Sequence, residues 1–174
     1  MTARTFIVVP ASDVPVALSD FRRRHIHHPG ATVPFHTTVI APFLPPGELD
    51  NGGLDRLRDL ALNHPAFDYV GGSVCAFPTS QTLWLAPSPV GPFERLNAGI
   101  HGLFPELISV PGQPTYHLTL AEARSDDELA RSTDEFIAEF SGTLPWSLRA
   151  TEMVIYVGED GRYRPLHTIA LGGS

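Results

Sequence analysis

FHTTV at Phe35 to Val39 and YHLTL at Tyr116 to Leu120 write one pattern twice: an aromatic residue, His, any residue, Thr and an aliphatic. The two histidines stand 81 positions apart (36 to 117), too far for one local motif and suited to one element repeated in two halves. What precedes each copy repeats as well. TFIVV at Thr5 to Val9 is a β-branched run stopped by Pro10, and Ser12 is placed to cap a helix with Val14, Leu18 and Phe21 at helical spacing. That helix fades through RRRHIHHPG, ending near Pro29 and Gly30, before a strand from Phe35 toward Phe43. In the second half TLWLA at Thr82 to Ala86 is stopped by Pro87, and Phe93, Leu96, Ile100 and Leu103 mark an amphipathic helix. The Pro/Gly loop VPGQPT then leads into YHLTLAEA. Strand, proline, helix, loop and His-x-Thr strand thus occur twice in one order, which predicts a duplicated architecture.

Other elements fill in around these units. Leu54, Leu57 and Leu60 or Ala61 predict a helix beyond the loop PPGELDNGG. Ser125 and Glu128 form a capping-box pattern for a helix carrying Leu129, Phe136, Ile137 and Phe140, ending near Gly142. The tail from WSLRATEMVIYV to RYRPLHTIALG reads as two strands joined by a turn at Glu159 to Gly161. The expected fold class is α+β: residues 1–174 as a single bilobal domain, its two lobes related by a pseudo-twofold axis about a central cleft. Each lobe is expected to hold an antiparallel sheet with flanking helices.

Composition narrows the function classes. With 12 basic residues against 19 acidic, the formal charge is −7, which argues against clamping extended nucleic acid. Every basic residue is arginine, so lysine Schiff-base chemistry and the P-loop are excluded. The single Cys75 cannot form an internal disulfide, and MTARTFIVVP lacks the apolar core of a signal peptide, so a cytoplasmic protein is expected. The charge-free stretch from Tyr69 to Phe93 is broken by Gly71, Gly72, Pro78, Pro87 and Pro89; it reads as two strands and a turn instead of a membrane span.

Successive side chains of a strand alternate faces, so His36 and Thr38 share one face, as do His117 and Thr119. Each motif therefore presents an imidazole and a hydroxyl from a strand whose other face suits a core. If the halves face each other, two imidazoles and two hydroxyls converge. One neutral imidazole can remove a proton from a nucleophile while the other, protonated, donates to a leaving oxygen. The hydroxyls can donate hydrogen bonds to the non-bridging oxygens of a phosphodiester. Such chemistry calls for no metal and no cofactor.

The chain resembles the two-histidine (2H) phosphoesterase superfamily, whose bacterial members are called 2′-5′ RNA ligase-like. HTTV at His36 to Val39 and HLTL at His117 to Leu120 match its His-x-Thr/Ser-hydrophobic signature, and TLWLA, WSLRATEMVIYV and RYRPLHTIAL resemble its flanking strands. The resemblance implies a bilobal α+β fold with both motifs in a central cleft. It implies opening of a 2′,3′-cyclic phosphate on a nucleotide or RNA end, with His36, Thr38, His117 and Thr119 catalytic. On that basis His117 is expected to activate water and His36 to act as acid. Many RNA-directed relatives carry arginine where this chain has Glu122, so the expected substrate is small and mononucleotide-like. Arg124 is the candidate substitute for that arginine.

Lesser features receive blander readings. His25, His27 and His28 are expected in a solvated loop instead of a metal site, and Arg22, Arg23 and Arg24 fan out around a helix toward the surface. Strand aromatics usually pack in a core, but Tyr116, Phe43 and Trp84 are the candidates for contacting substrate, together with Arg124. The expected partner is a small phosphate-containing molecule, with no membrane and no long nucleic acid, and the chain is expected to be a monomer. A catalytically silent nucleotide-binding module of the same fold is the alternative, and a structural or partner-binding protein a third reading.

Overall fold

A computed structural model describes residues 4–107 and 114–172. Strand β1 (Arg4–Pro10) runs into helix α1 (Ala17–His25) and strand β2 (His36–Ile40), followed by α2 (Asn51–Leu62). The second unit is β3 (Phe67–Phe77), β4 (Thr82–Ser88), α3 (Gly91–Leu103) and β5 (Leu118–Glu122). Helix α4 (Asp126–Phe140) and strands β6 (Trp146–Ala150), β7 (Glu152–Glu159) and β8 (Arg162–Ala170) complete the described chain. Most of the expected VPGQPT loop, residues 110–113, lies outside the described residues.

The repeated order read in the sequence is present as β1-α1-β2 and β4-α3-β5. The α+β class with antiparallel strands is as expected, but the halves do not keep separate sheets. All eight strands form one sheet in the order β6-β3-β4-β5-β2-β1-β7-β8. Its seam is the β2–β5 pair, where Thr37 faces Leu118. On either side of the seam lie four strands, β2-β1-β7-β8 and β5-β4-β3-β6, so the duplication survives inside a single sheet.

The helices lock the halves together. Helix α1 of the first unit packs on β5 of the second, and α3 of the second packs on β2 of the first. Asn97 of α3 donates to the Val39 carbonyl at 2.8 Å. Phe21 of α1 meets Phe136 and Phe140 of α4 edge-on, with centroids 5.5 and 5.7 Å apart. Phe21, Phe93, Phe136, Leu118 and Leu120 are fully buried, and side chains of this size each contribute roughly 1.5–3 kcal/mol on burial. The core faces of both motif strands are thus fixed by packing.

Two boundaries differ from the sequence expectation. Helix α1 starts at Ala17 with no side-chain cap, not at Ser12, because Pro15 disfavours helical backbone at Val14. The tail forms three strands, not two. The stretch WSLRA alternates buried and exposed while Met153 to Val157 is buried throughout, and between them the chain breaks at Thr151. There β6 goes to the sheet edge beside β3, and β7 goes between β1 and β8. Helix α4 has its expected cap, Ser125 Oγ accepting from the Glu128 amide at 3.2 Å, although Ile137 faces solvent. Among the described residues no helix is long and apolar enough to cross a membrane.

Candidate active site

Both motif strands alternate as strand geometry requires. Thr37, Val39, Leu118 and Leu120 are buried on the core face, while His36, Thr38, His117 and Thr119 are half-buried on the other. Because Thr37 faces Leu118 in an antiparallel pair, the register sets His36 opposite Thr119 and Thr38 opposite His117. Opposed residues hold their Cβ atoms about 5 Å apart and diagonal ones roughly 7 Å, so both imidazoles and both hydroxyls rise from one patch of the seam. The sheet brings all four expected residues into one square.

Each ring is oriented by its own backbone. His36 Nδ1 lies 2.6 Å from the Pro34 carbonyl, and His117 Nδ1 lies 2.7 Å from the Thr115 carbonyl. A carbonyl only accepts, so Nδ1 carries the proton in both rings. That leaves Nε2 free to take or give a proton. His117 is buttressed further by an aromatic wall: Phe77 meets its ring edge-on at 5.2 Å and Trp84 at 6.0 Å, with Phe77 stacked on Trp84. Burial pushes the His36 imidazole down to about 4, against the hydrogen bond to Pro34, and the charges of Arg22 and His117 add to the fall. The ring edge still meets the open cleft, so solvent moderates the effect.

The structure adds residues that the sequence reading places elsewhere. Arg22 is expected on the surface, and only Arg23 and Arg24 are there. Arg22 is 5% exposed and lines the cleft. Its Nε donates to the Thr119 carbonyl at 3.2 Å and its Nη1 to the Val33 carbonyl at 3.0 Å, and its guanidinium lies over the Phe35 ring. One arginine therefore ties the approach to the first motif to the backbone of the second. Burial lowers its pKa to about 10, with Glu122 opposing, so it stays charged at neutral pH. The signal was available: Arg22 is four positions after Leu18, on the same buried stripe of α1.

In RRRHIHHPG, His27 and His28 are exposed as expected, but Arg22 to His25 form the last turn of α1 and each histidine has an acidic partner. His25 pairs with Glu135 at 2.9 Å, His27 with Glu128 at 2.7 Å and His28 with Glu122 at 2.6 Å, stitching the first unit to α4 and the end of β5. Sequence spacing hid these partners because each carboxylate is more than 90 residues away. Glu122 lines the cleft with its charge already engaged by His28 and Arg22.

The cleft has a volume of about 760 Å³ and continues from the histidines to the β7–β8 turn. The four candidate substrate contacts are not part of its wall. Phe43 packs edge-on against Phe104, Tyr116 stacks on Phe93, and Trp84 sits behind His117. Arg124 is exposed and gives its backbone amide to Glu128. Aromatic and cationic side chains do reach the cleft, but they come from distant elements: Phe6 and Arg4 of β1, Arg162 and Tyr163 of β8. Among the described residues no three His, Cys, Asp or Glu side chains gather as a metal site would need.

Comparison with known proteins gives a consistent picture. A family model described as the 2′-5′ RNA ligase superfamily matches residues 9–162. Among solved structures, TT0787 of Thermus thermophilus has a TM-score of 0.64 at 19% identity, covering 98% of this chain and 99% of that one. LigT of E. coli in complex with 3′-AMP has a TM-score of 0.59 at 19% identity, with coverages of 98% and 99%. Usb1 of Kluyveromyces marxianus has a TM-score of 0.57 at 13% identity, with coverages of 95% and 98%. At these identities the likeness is one of fold. No curated protein matches the chain.

Proposed function

The chain belongs to the 2′-5′ RNA ligase superfamily, and we propose that it hydrolyses a 2′,3′-cyclic phosphate, on a small nucleotide or an RNA end, to a phosphomonoester. The observation that carries this reading is the seam itself, where antiparallel pairing of two His-x-Thr strands crosses two imidazoles with two hydroxyls. Nucleotide-sized substrates are supported by LigT, which has been solved with 3′-AMP and with ATP.

Water attacks phosphorus as one imidazole takes its proton through Nε2. The bond from phosphorus to one ribose oxygen breaks, and that oxygen receives the proton of the other imidazole. Thr38 and Thr119 hydroxyls donate to the non-bridging oxygens, where negative charge builds in the transition state. The neutral state favoured at His36 suits the base, and His117 then supplies the leaving-group proton. This order is the reverse of the one implied by resemblance. One turnover exchanges the protonation states of the two rings, and solvent restores them.

The test is phosphorus NMR of 2′,3′-cyclic nucleotides incubated with the protein in EDTA. Ring opening at an undiminished rate is expected, because two imidazoles supply both proton transfers. Absence of turnover across a panel of cyclic phosphates, with nucleotide still bound, would make the cleft a binding module instead.

The pH profile tests for the acid-base pair, and its two limbs are the same whichever imidazole is the base. A base must be unprotonated, so kcat/KM rises as pH rises through the pKa of the free base. With His36 in that role, the rising limb lies below the ordinary histidine value of 6.5, toward about 4. A profile with a single limb would remove one of the two imidazoles from proton transfer.

A further inference from the structure

The catalytic square occupies only one part of the cleft; the rest runs along β1 to the β7–β8 turn, and its walls there are of a different kind. Phe6 lies on the same sheet face as Val8, whose register partner is Thr38. Two residues along one strand and one strand across place Phe6 roughly 8 Å from Thr38, a span that a ribose bridges between its phosphate and its base. The geometry points to a stacking subsite for a planar heteroaromatic ring, formed by Phe6 and Tyr163, so that the preferred substrate carries a nucleobase and is not a bare cyclic phosphate. This rests on the hydrolase reading for its chemistry, but not for its binding.

The subsite is rigidly built. Phe6 stacks on the buried Tyr156 with centroids 5.7 Å apart and planes 18° from parallel, which props its ring from one side. Tyr163 meets Phe6 edge-on, at 5.7 Å and 76°. Tyr163 in turn closes onto β7 at Gly158, its register partner, where a Cβ would lie 2.7 Å from Tyr163 Cε1. Glycine there is a packing requirement of that ring. Phe6 is half-buried and Tyr163 is 37% exposed, so the pair offers apolar ring surface to the cleft, unlike the enclosed Phe43 and Tyr116.

The charges around the rings favour a single base over a polynucleotide. Arg4 and Arg162 line this end of the cleft, and so do Glu159 and Asp160. Two guanidinium groups beside two carboxylates leave no net positive track for a phosphate backbone. They do leave donors and acceptors for the polar edge of a base.

Calorimetry with adenosine 3′-monophosphate and with the corresponding ribose phosphate lacking a base measures the subsite apart from catalysis. Stacking on one aromatic platform is worth about 10-fold in affinity, so the nucleotide is expected to bind wild type about that much more tightly than the ribose phosphate. Phe6→Leu and Tyr163→Leu, which keep bulk but remove the π face, are expected to bring the ratio toward one while leaving the ribose phosphate affinity unchanged, with a cooperative melt showing that each variant is folded. A ratio near one in wild type, or a ratio that survives both substitutions, overturns the subsite. Turnover of cyclic phosphates decides the hydrolase reading separately: loss of that reading leaves the binding ratio standing, and loss of the ratio leaves turnover standing.

Discussion

His36→Ala and His117→Ala are each expected to lower ring opening of a 2′,3′-cyclic nucleotide by about 10²- to 10⁴-fold, and the double variant to fall little further. The two imidazoles act in one event, one taking the proton from water as the other gives a proton to the leaving oxygen, so either loss already removes the concerted path. The fold should not suffer. Both rings sit half-buried on the cleft face, while the core faces of their strands are held by Thr37, Val39, Leu118 and Leu120. Truncation also relieves the desolvation that depresses His36. A change in unfolding free energy within about 1 kcal/mol is expected for each variant. Phosphorus NMR for turnover and a thermal melt for stability check the pair of claims. Full activity in either single variant, with the melt unchanged, would remove that histidine from the mechanism.

Much of this was legible because the relevant periods are short. The alternation that puts His36 with Thr38 and His117 with Thr119 is a two-residue rule, and the burial of the motif strands follows it residue by residue. The duplicated strand-helix-strand order was legible for the same reason. Long-range pairing was not. Nothing local says that β2 pairs with β5 to fuse the two halves into one sheet, or that Thr151 sends β6 and β7 to different places in it. The site shows the same division. Tyr116 adjoins its motif in the chain and Trp84 is an aromatic of the strand before it, yet the rings that reach the cleft are Phe6 and Tyr163, which meet only because β7 lies between β1 and β8. Glu122 read as an unfavourable charge until His28 and Arg22 appeared beside it. Helical phase alone marked Arg22 as buried, and the polar run around it masked that signal.

Arg22→Met is expected to destabilise the protein by roughly 2 to 4 kcal/mol and to move the rising limb of the pH profile upward. Methionine keeps the apolar stem but leaves the Val33 and Thr119 carbonyls without their donors and Glu122 without its buried countercharge. Relief of the guanidinium's own desolvation offsets part of that loss, which keeps the figure below a simple sum. The shift in the profile has a separate cause. The Arg22 charge helps to hold His36 neutral, so its removal lets the imidazole protonate at higher pH, and a base that protonates sooner loses activity sooner as pH falls. A wholly structural residue would change Tm and leave the limb in place. Arg22→Lys separates the effects, since it keeps the charge but cannot span both carbonyls with a planar fork. It is expected to retain the wild-type limb and to recover only part of the lost stability. If Arg22→Met leaves both the melt and the limb unchanged, the guanidinium is a bystander in the cleft wall, and the register of the second motif rests on the sheet alone.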